Sequence, residues 1–254
     1  MTTQELYRYL DQRIPGSLSC EWDNDGLQCC PEPDRTVHRV LVVLDVTETA
    51  VDYAIGNGYD AIVSHHPMVF HPLRGITTEE PVGRKLIRLL RSGIAAMSFH
   101  TRLDAVAGGV NDTLAARLSL RDPVPFGENG EEMGRIGALE TVTTPEAFAK
   151  AVKAALGAAA VEYSGTRPVY RVAVLGGGGS DDAEAAFRAG ADTYLTGELK
   201  HHQLSEAPER GWNLLQAGHY DTEFPVCQTL RSWILEADPA LTVDVLHTYP
   251  AKTL

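Results

Sequence analysis

Apolar and polar residues recur along this chain with two periods, and the switches between them mark its elements. Thr2 and Glu5 form a capping box ahead of Leu6, Leu10 and Ile14 at helical spacing, which predicts an opening amphipathic helix. Glu21–Gln28 is rich in turn formers and reads as a packed loop, with Trp22 as anchor and Asn24 and Gln28 as uncharged donors. His38–Asp45 is an apolar run of strand length. Thr47 offers an N-cap, and Thr49–Asn57 a helix that turns Ala50, Val51, Ala54 and Ile55 inward until Gly58 ends it. Asp60–Ser64 is the next buried strand and runs straight into His65, His66 and Pro67, where proline stops the ladder. A helix from about Val82 to Arg91, closed by Gly93, leads to a third strand, Ile94–Phe99, with His100 at its end.

The later chain adds a helix over Val110–Leu118, a connector at Arg121–Pro125, a strand over Gly137–Thr143 and a helix begun by Thr144 and Pro145 and ended at Leu156–Gly157. The first pattern then returns. Residues from Arg171 align with those from Arg39, and residues from Ala186 with those from Ala54, both 132 positions on and without a gap. With a one-residue gap, Gly93 to His100 and Asp104 find counterparts in Gly211 to His219 and Glu223. Each half therefore ends a strand in histidine and places a carboxylate four residues later.

The expected fold class is α/β: two repeated strand-helix-strand lobes with mainly parallel sheets, and a metal site at the strand carboxyl ends between the lobes. The lobes are expected at 1–125 and 169–254, with a short middle segment at 126–168, together forming one compact unit. A formal net charge of -12 argues against nucleic acid as a partner, because so acidic a chain repels phosphate backbones. The four cysteines match no Cys-x-x-Cys zinc spacing and read as reduced thiols, which fits a cytoplasmic protein. No apolar run approaches the roughly 20 residues of a membrane span, and the first residues form a capped helix rather than a signal peptide.

Strand ends are where the candidate chemistry gathers: His65, His66, His100, Asp104, His219 and Glu223. In a regular strand His65 and His66 would face opposite ways, so one site can use both only if the chain leaves strand geometry there. Nitrogen and oxygen donors without thiolate suit two divalent transition-metal ions, drawn from Zn, Mn, Fe or Co, and the rival reading is a hydrogen-bonded polar cluster. Gly176–Gly179 fails the dinucleotide and Walker spacings, and close backbone approach to the pocket is preferred there over anion binding. Glu198, His201 and His202 follow the repeat equivalent of His65, as pocket-lining groups or as an exposed helix start.

The segments Trp22–Gln28, Ser64–Pro67, His100–Asp104 with Asn111, Gly176–Ser180, Leu195–Lys200 and Gly218–Glu223 together resemble the YbgI-type dinuclear metal-centre family, whose members are labelled GTP cyclohydrolase 1 type 2 homologues. The resemblance covers nearly the whole chain. It implies a dinuclear centre held by His65, His66, Asp104, His219 and Glu223, one imidazole of the first pair on each ion and Glu223 bridging, with His100 beside the metals. It further implies a homohexamer with the metal sites facing an internal cavity, and a metal-dependent hydrolase acting on a small-molecule, nucleotide substrate. His100 and Glu198 are then the candidate general acids. A non-catalytic metal-binding scaffold or regulatory protein, and a phosphoester hydrolase, are the alternatives. The large middle insertion of some members is not present in this chain.

Overall fold

The structure, a computed structural model, describes residues 1–128, 131–249 and 251. Residues 129 and 130 of the expected middle segment, and 250 and 252–254 of the expected second lobe, lie outside the described residues. The chain packs as two compact units. Unit 1 comprises Met1–Leu103 and a return segment beginning at Cys227, and unit 2 comprises Asp104–Val226.

In chain order unit 1 begins with α1 (Thr3–Arg13), β1 (Gly26–Cys29), β2 (Arg39–Val43), α2 (Glu48–Gly56), β3 (Ala61–Ser64), α3 (Pro81–Ser92) and β4 (Ala95–Ser98). The chain leaves unit 1 inside α4 (Thr101–Ala105). Unit 2 holds α5 (Val110–Arg117), β5 (Arg121–Glu128), β6 (Glu131–Thr143), α6 (Pro145–Leu156), β7 (Glu162–Ser164), β8 (Val169–Leu175), α7 (Ala183–Arg188), β9 (Thr193–Thr196), α8 (His201–Arg210), β10 (Asn213–Gln216) and α9 (His219–Glu223). With α10 (Val226–Ala237) and β11 (Thr242–Val245) the chain returns to unit 1.

Each unit is built on one mixed sheet. In unit 1 the order is β1-β4-β3-β2-β11, with β1 antiparallel and the other three pairings parallel. The expectation of a mainly parallel sheet holds there. In unit 2 the order is β5-β6-β8-β9-β10-β7, and only β8-β9 and β9-β10 are parallel. The added antiparallel strands come from the middle of the chain: β5 pairs with β6, β6 with β8, and β7 crosses to the far side of the sheet to pair with β10. The consecutive stretches expected as lobes are thus not the compact units: the middle strands β5, β6 and β7 belong to the second sheet, while β11, at the far end of the chain, pairs with β2.

Local signals act where the sequence places them. Thr2 and Glu5 close the capping box of α1, whose Leu6 and Leu10 are buried, as is Ile14 beyond it. Burying each such side chain contributes roughly 1.5–3 kcal/mol. Thr47 caps α2 by accepting from the Ala50 N–H, and Thr144 caps α6 through Ala147. Apolar faces of α2 and α3 close over one face of the first sheet around Leu41, Val43, Ile62 and Ala96. The second sheet carries a cluster around Val172, Val174, Leu195 and Leu215 and another around Ala173, Tyr194 and Leu214, one on each face of its alternating strands.

Two stretches fold otherwise than their patterns predict. Arg121–Pro125, expected as a connector, is part of β5. Its prolines, Pro123 and Pro125, are tolerated because β5 is an edge strand paired only with β6. The end of the Glu21–Gln28 loop becomes β1, held by the antiparallel pairing of Gly26 and Leu27 with Ser98 and Met97.

The 132-residue repeat is real down to single hydrogen bonds. Asp60 accepts from the His38 and Arg39 N–H groups, and Asp192 accepts from those of Tyr170 and Arg171, each partner 132 positions on. The gap expected further along is not needed. β4 and α4 match β10 and α9 at a constant offset of 118, with Gly93 and Gly211 both left-handed helix ends. His219 therefore corresponds to Thr101 and Glu223 to Ala105, one residue later than His100 and Asp104.

Candidate metal centre

The histidines of unit 1 gather where β3 and β4 stop. β3 ends at Ser64, whose hydroxyl donates to the His66 carbonyl (2.8 Å), and the chain bends so that His65 and His66 lie side by side with ring centroids 4.8 Å apart. The requirement that the pair leave strand geometry is met. His100, just after β4, brings its ring to 5.3 Å from that of His65 and 5.6 Å from that of His66.

Every one of these rings has an oxygen acceptor at Nδ1. His65 Nδ1 lies 2.9 Å from the Phe99 carbonyl, His66 Nδ1 2.7 Å from Asp45 Oδ1, and His100 Nδ1 2.9 Å from Asp23 Oδ1. A carbonyl or carboxylate only accepts, so Nδ1 is the protonated nitrogen in each case and the lone pair of a neutral ring sits on Nε2. The three residues offer ligand atoms within 4.8 Å of one another. A donor set of imidazoles, each oriented by an outer oxygen, is the arrangement that metal-binding histidines adopt.

Asp23 is the most constrained of these outer groups. Its side chain is wholly buried, and its second oxygen accepts from both the N–H (3.0 Å) and the hydroxyl (2.6 Å) of Thr101. Burial pushes its carboxyl up, but the hydrogen bonds from His100 and Thr101 outweigh this and hold it well below the usual carboxylate range. Asp25 accepts from the His100 N–H and from Arg102 Nε, and Arg102 also binds Asp11 and the Ile14 carbonyl. The start of α4 is thus clamped by the loop before β1. Sequence reasoning picked out Trp22, Asn24 and Gln28 in that loop and missed Asp23, Asp25 and, beyond β2, Asp45. Their partners lie 21 to 78 residues away, and no local spacing encodes such a contact.

Unit 2 contributes a carboxylate set. His219 and Glu223, one turn apart on α9, place Nε2 and Oε2 3.1 Å apart, and Glu223 and Asp104 offer ligand atoms within 4.8 Å of each other. Glu223 is common to both pairs. Glu198, largely exposed, stands 3.5 Å from His219 Nδ1, while His201 and His202 occupy the exposed start of α8. Asn111 donates to the Asp104 carbonyl (3.3 Å) and accepts from the Gly176 N–H (2.8 Å), tying the helix that carries Asp104 to the glycine stretch.

The glycines make room for this set. A Cβ on Gly177, which has φ +68°, would stand 2.0 Å from Glu223 Oε1 and 3.1 Å from His219 Nε2. The N–H groups of Gly176, Gly177 and Gly179 are spent on Asn111, Thr222 and Thr196. Close backbone approach accounts for the glycines, as expected, and leaves those donors unavailable to an anion.

Fold and side chains together define an α/β protein with two mixed sheets and His/Asp/Glu clusters able to hold metal ions. The chain belongs to the Duf34/NIF3 (NGG1p interacting factor 3) family, whose sequence profile matches residues 1–251. It is 30% identical over 232 residues to a GTP cyclohydrolase 1 type 2 homolog of Clostridium perfringens, covering 89% of this chain and 88% of that protein. Its fold matches the Staphylococcus aureus hypothetical protein SA1388 with a TM-score of 0.91 at 26% identity, covering 100% of this chain and 99% of the other. It also matches the protein ybgI, described as of unknown function, with a TM-score of 0.86 at 26% identity over 99% and 100% of the two chains. Among the described residues no helix is long and apolar enough to cross a membrane.

Proposed function

We propose that this protein is a metal-dependent hydrolase acting on a nucleotide, with two divalent transition-metal ions held by His65, His66, Asp104, His219 and Glu223. The observation that carries the reading is the set of imidazoles in unit 1, each with Nδ1 on an oxygen acceptor, which puts the lone pair of the neutral ring on Nε2. Glu223, within reach of both Asp104 and His219, supports the bridging role. The nucleotide rests on the names of relatives alone.

Bound ions of this kind lower the pKa of water towards neutrality and polarise the attacked group. The chain's own residues orient and protonate. Phe99 and Asp45 fix the ring planes of His65 and His66, and Gly177 keeps the space beside Glu223 clear. His100 and Glu198 are the two candidates for delivering a proton to the leaving group, and Glu198 has the more solvent-exposed side chain, suited to reprotonation from bulk water. By family resemblance the active form is a cytoplasmic homohexamer.

Elemental analysis of protein purified without chelator should give two ions per chain, in particles six times the 27.6 kDa chain by light scattering. Glu223→Gln should fall towards one ion and lose GTP hydrolysis, while Asp104→Asn weakens one site and keeps the other loaded. Two ions retained in Glu223→Gln would remove Glu223 as the bridge. Full metal loading with no turnover of GTP or a phosphoester would favour a binding role over catalysis.

A further inference from the structure

Asp23 does two things with its two oxygens, and they can be separated. Oδ1 faces His100 Nδ1 at 2.9 Å, whereas Oδ2 receives both donors of Thr101, the N–H at the start of α4 and the hydroxyl. The Thr101 hydroxyl in turn accepts from the Cys20 N–H (3.0 Å), so its proton is committed to Asp23. We propose that Asp23 is a positioning residue that holds His100 in the Nδ1–H tautomer, presenting the Nε2 lone pair alongside those of His65 and His66 as a third nitrogen donor. This rests on the metal-binding reading above and deepens it: His100 leaves the pair of candidate acids, and proton delivery falls to Glu198.

The other groups around the ring agree. Trp22 and Phe70 meet the His100 ring edge-on at 6.2 and 6.0 Å between centroids, and the rings of His65 and His66 stand at 5.3 and 5.6 Å. Asp23 sets a carboxylate oxygen 2.9 Å from His100 Nδ1, which is the contact that selects the tautomer. Asp45 does the same for His66 from the end of β2, and a backbone carbonyl does it for His65. Carboxylate and carbonyl partners of this kind set ring orientation and raise the basicity of the nitrogen that binds the metal.

The geometry supplies a sharp test. In Asp23→Asn the two Thr101 donors claim the amide oxygen at the Oδ2 position, so the amide NH2 takes the Oδ1 position and points at His100 Nδ1. A donor there forces the proton onto Nε2, the atom that would otherwise bind. A similar carboxylate-to-amide exchange inverts the tautomer of the catalytic histidine in serine proteases. In contrast, Thr101→Val removes the hydroxyl but leaves the carboxylate facing His100.

Long-range 1H–15N NMR on the metal-free protein reads the tautomer directly, and titration with Zn2+ alone reads affinity. The wild type and Thr101→Val should both show His100 as Nδ1–H, with Thr101→Val melting at lower temperature and binding Zn2+ as the wild type does. Asp23→Asn should show Nε2–H and bind Zn2+ about 10–100-fold more weakly, and His100→Ala should lose at least as much. A wild-type His100 in the Nε2–H form overturns the proposal without any variant. So does an Asp23→Asn protein with the inverted tautomer and undiminished affinity, which leaves the dinuclear reading standing if His65→Ala still loses metal. A wild type that takes up no Zn2+ instead overturns the metal reading and the donor role of His100 with it.

Discussion

The strand-helix-strand core of unit 1, from β2 to β3, and its repeat in unit 2, from β8 to β9, share a backbone plan but differ at the strand ends. At an offset of 132 residues, His65 and His66 correspond to Gly197 and Glu198, and Asp45 to Gly177. In unit 1 these positions carry two imidazoles and the carboxylate that orients one of them. In unit 2 two of the three carry no side chain, and the space goes to groups from α9: a Cβ on Gly197 would stand 2.7 Å from the His219 Cα, and one on Gly177 would meet Glu223. One backbone plan thus supports donors from the strand end itself or from the helix behind it, and glycine is what switches between them.

The largest effect should come from undoing that switch. Gly177→Val places a branched side chain at a left-handed φ and against Glu223 Oε1, combining backbone strain with overpacking. A loss of roughly 3–5 kcal/mol by urea denaturation, together with displacement of Glu223 and loss of Zn2+ from the carboxylate set, is expected. Asp45→Ala, at the equivalent place in unit 1, should cost roughly 1 kcal/mol or less and weaken only the His66 contribution. Equal costs at the two positions would break the comparison.

The paired aspartates test whether the shared plan is also shared in energy. Asp60 is buried and holds the His38 and Arg39 N–H groups as well as Arg35 (3.2 Å), whereas Asp192 is half-buried and holds the equivalent N–H groups and the Thr193 hydroxyl. Asp60→Ala should destabilise by roughly 2–3 kcal/mol and Asp192→Ala by roughly 1–2 kcal/mol, because unsatisfied donors cost more where water is excluded. A reversed order in chemical denaturation would mean that burial does not set the difference.

A smaller effect separates the units by pH. In unit 1, burial and the hydrogen bond to Asp244 push the Tyr59 phenol up to about 12. The folded state favours the neutral phenol, so its contribution is complete below the ordinary value of about 10 and is lost as pH rises from there towards 12. Melting curves of Tyr59→Phe should be flatter than those of the wild type across that window. In unit 2, burial and the nearby Asp182 raise Tyr194 well above 10, and in unit 1 burial pushes the Cys29 thiol up to about 11, so both contribute to the slope remaining in Tyr59→Phe.

The buried strands and capped helices of both units were legible because each carries its own local period and its own cap, as Thr47 and Gly93 do. β1 and β5 were not, since Gly26 and Gln28 in one and two prolines in the other erase the strand signal, and only pairing with β4 and β6 restores it. The return of β11 to the first sheet is a long-range choice with no local mark. At the site, the histidines announced themselves by standing at strand ends, but the one-residue offset between His100 and His219 stayed hidden. Matching residue types drew the alignment to the histidines, whereas strand register assigns His219 to Thr101. The orienting carboxylates were invisible for a simpler reason: a hydrogen bond between residues 23 and 100 leaves no trace in spacing.

The prolines of β5 bear on what this edge of the second sheet can offer to an incoming strand. Pro123 and Pro125 both stand on an edge strand, and neither has an N–H to offer an incoming strand. A six-stranded sheet would otherwise present a ready template along that margin for recruiting further chains into a growing fibre. A margin with two such gaps is a poorer template for an incoming strand than an edge that carries every N–H.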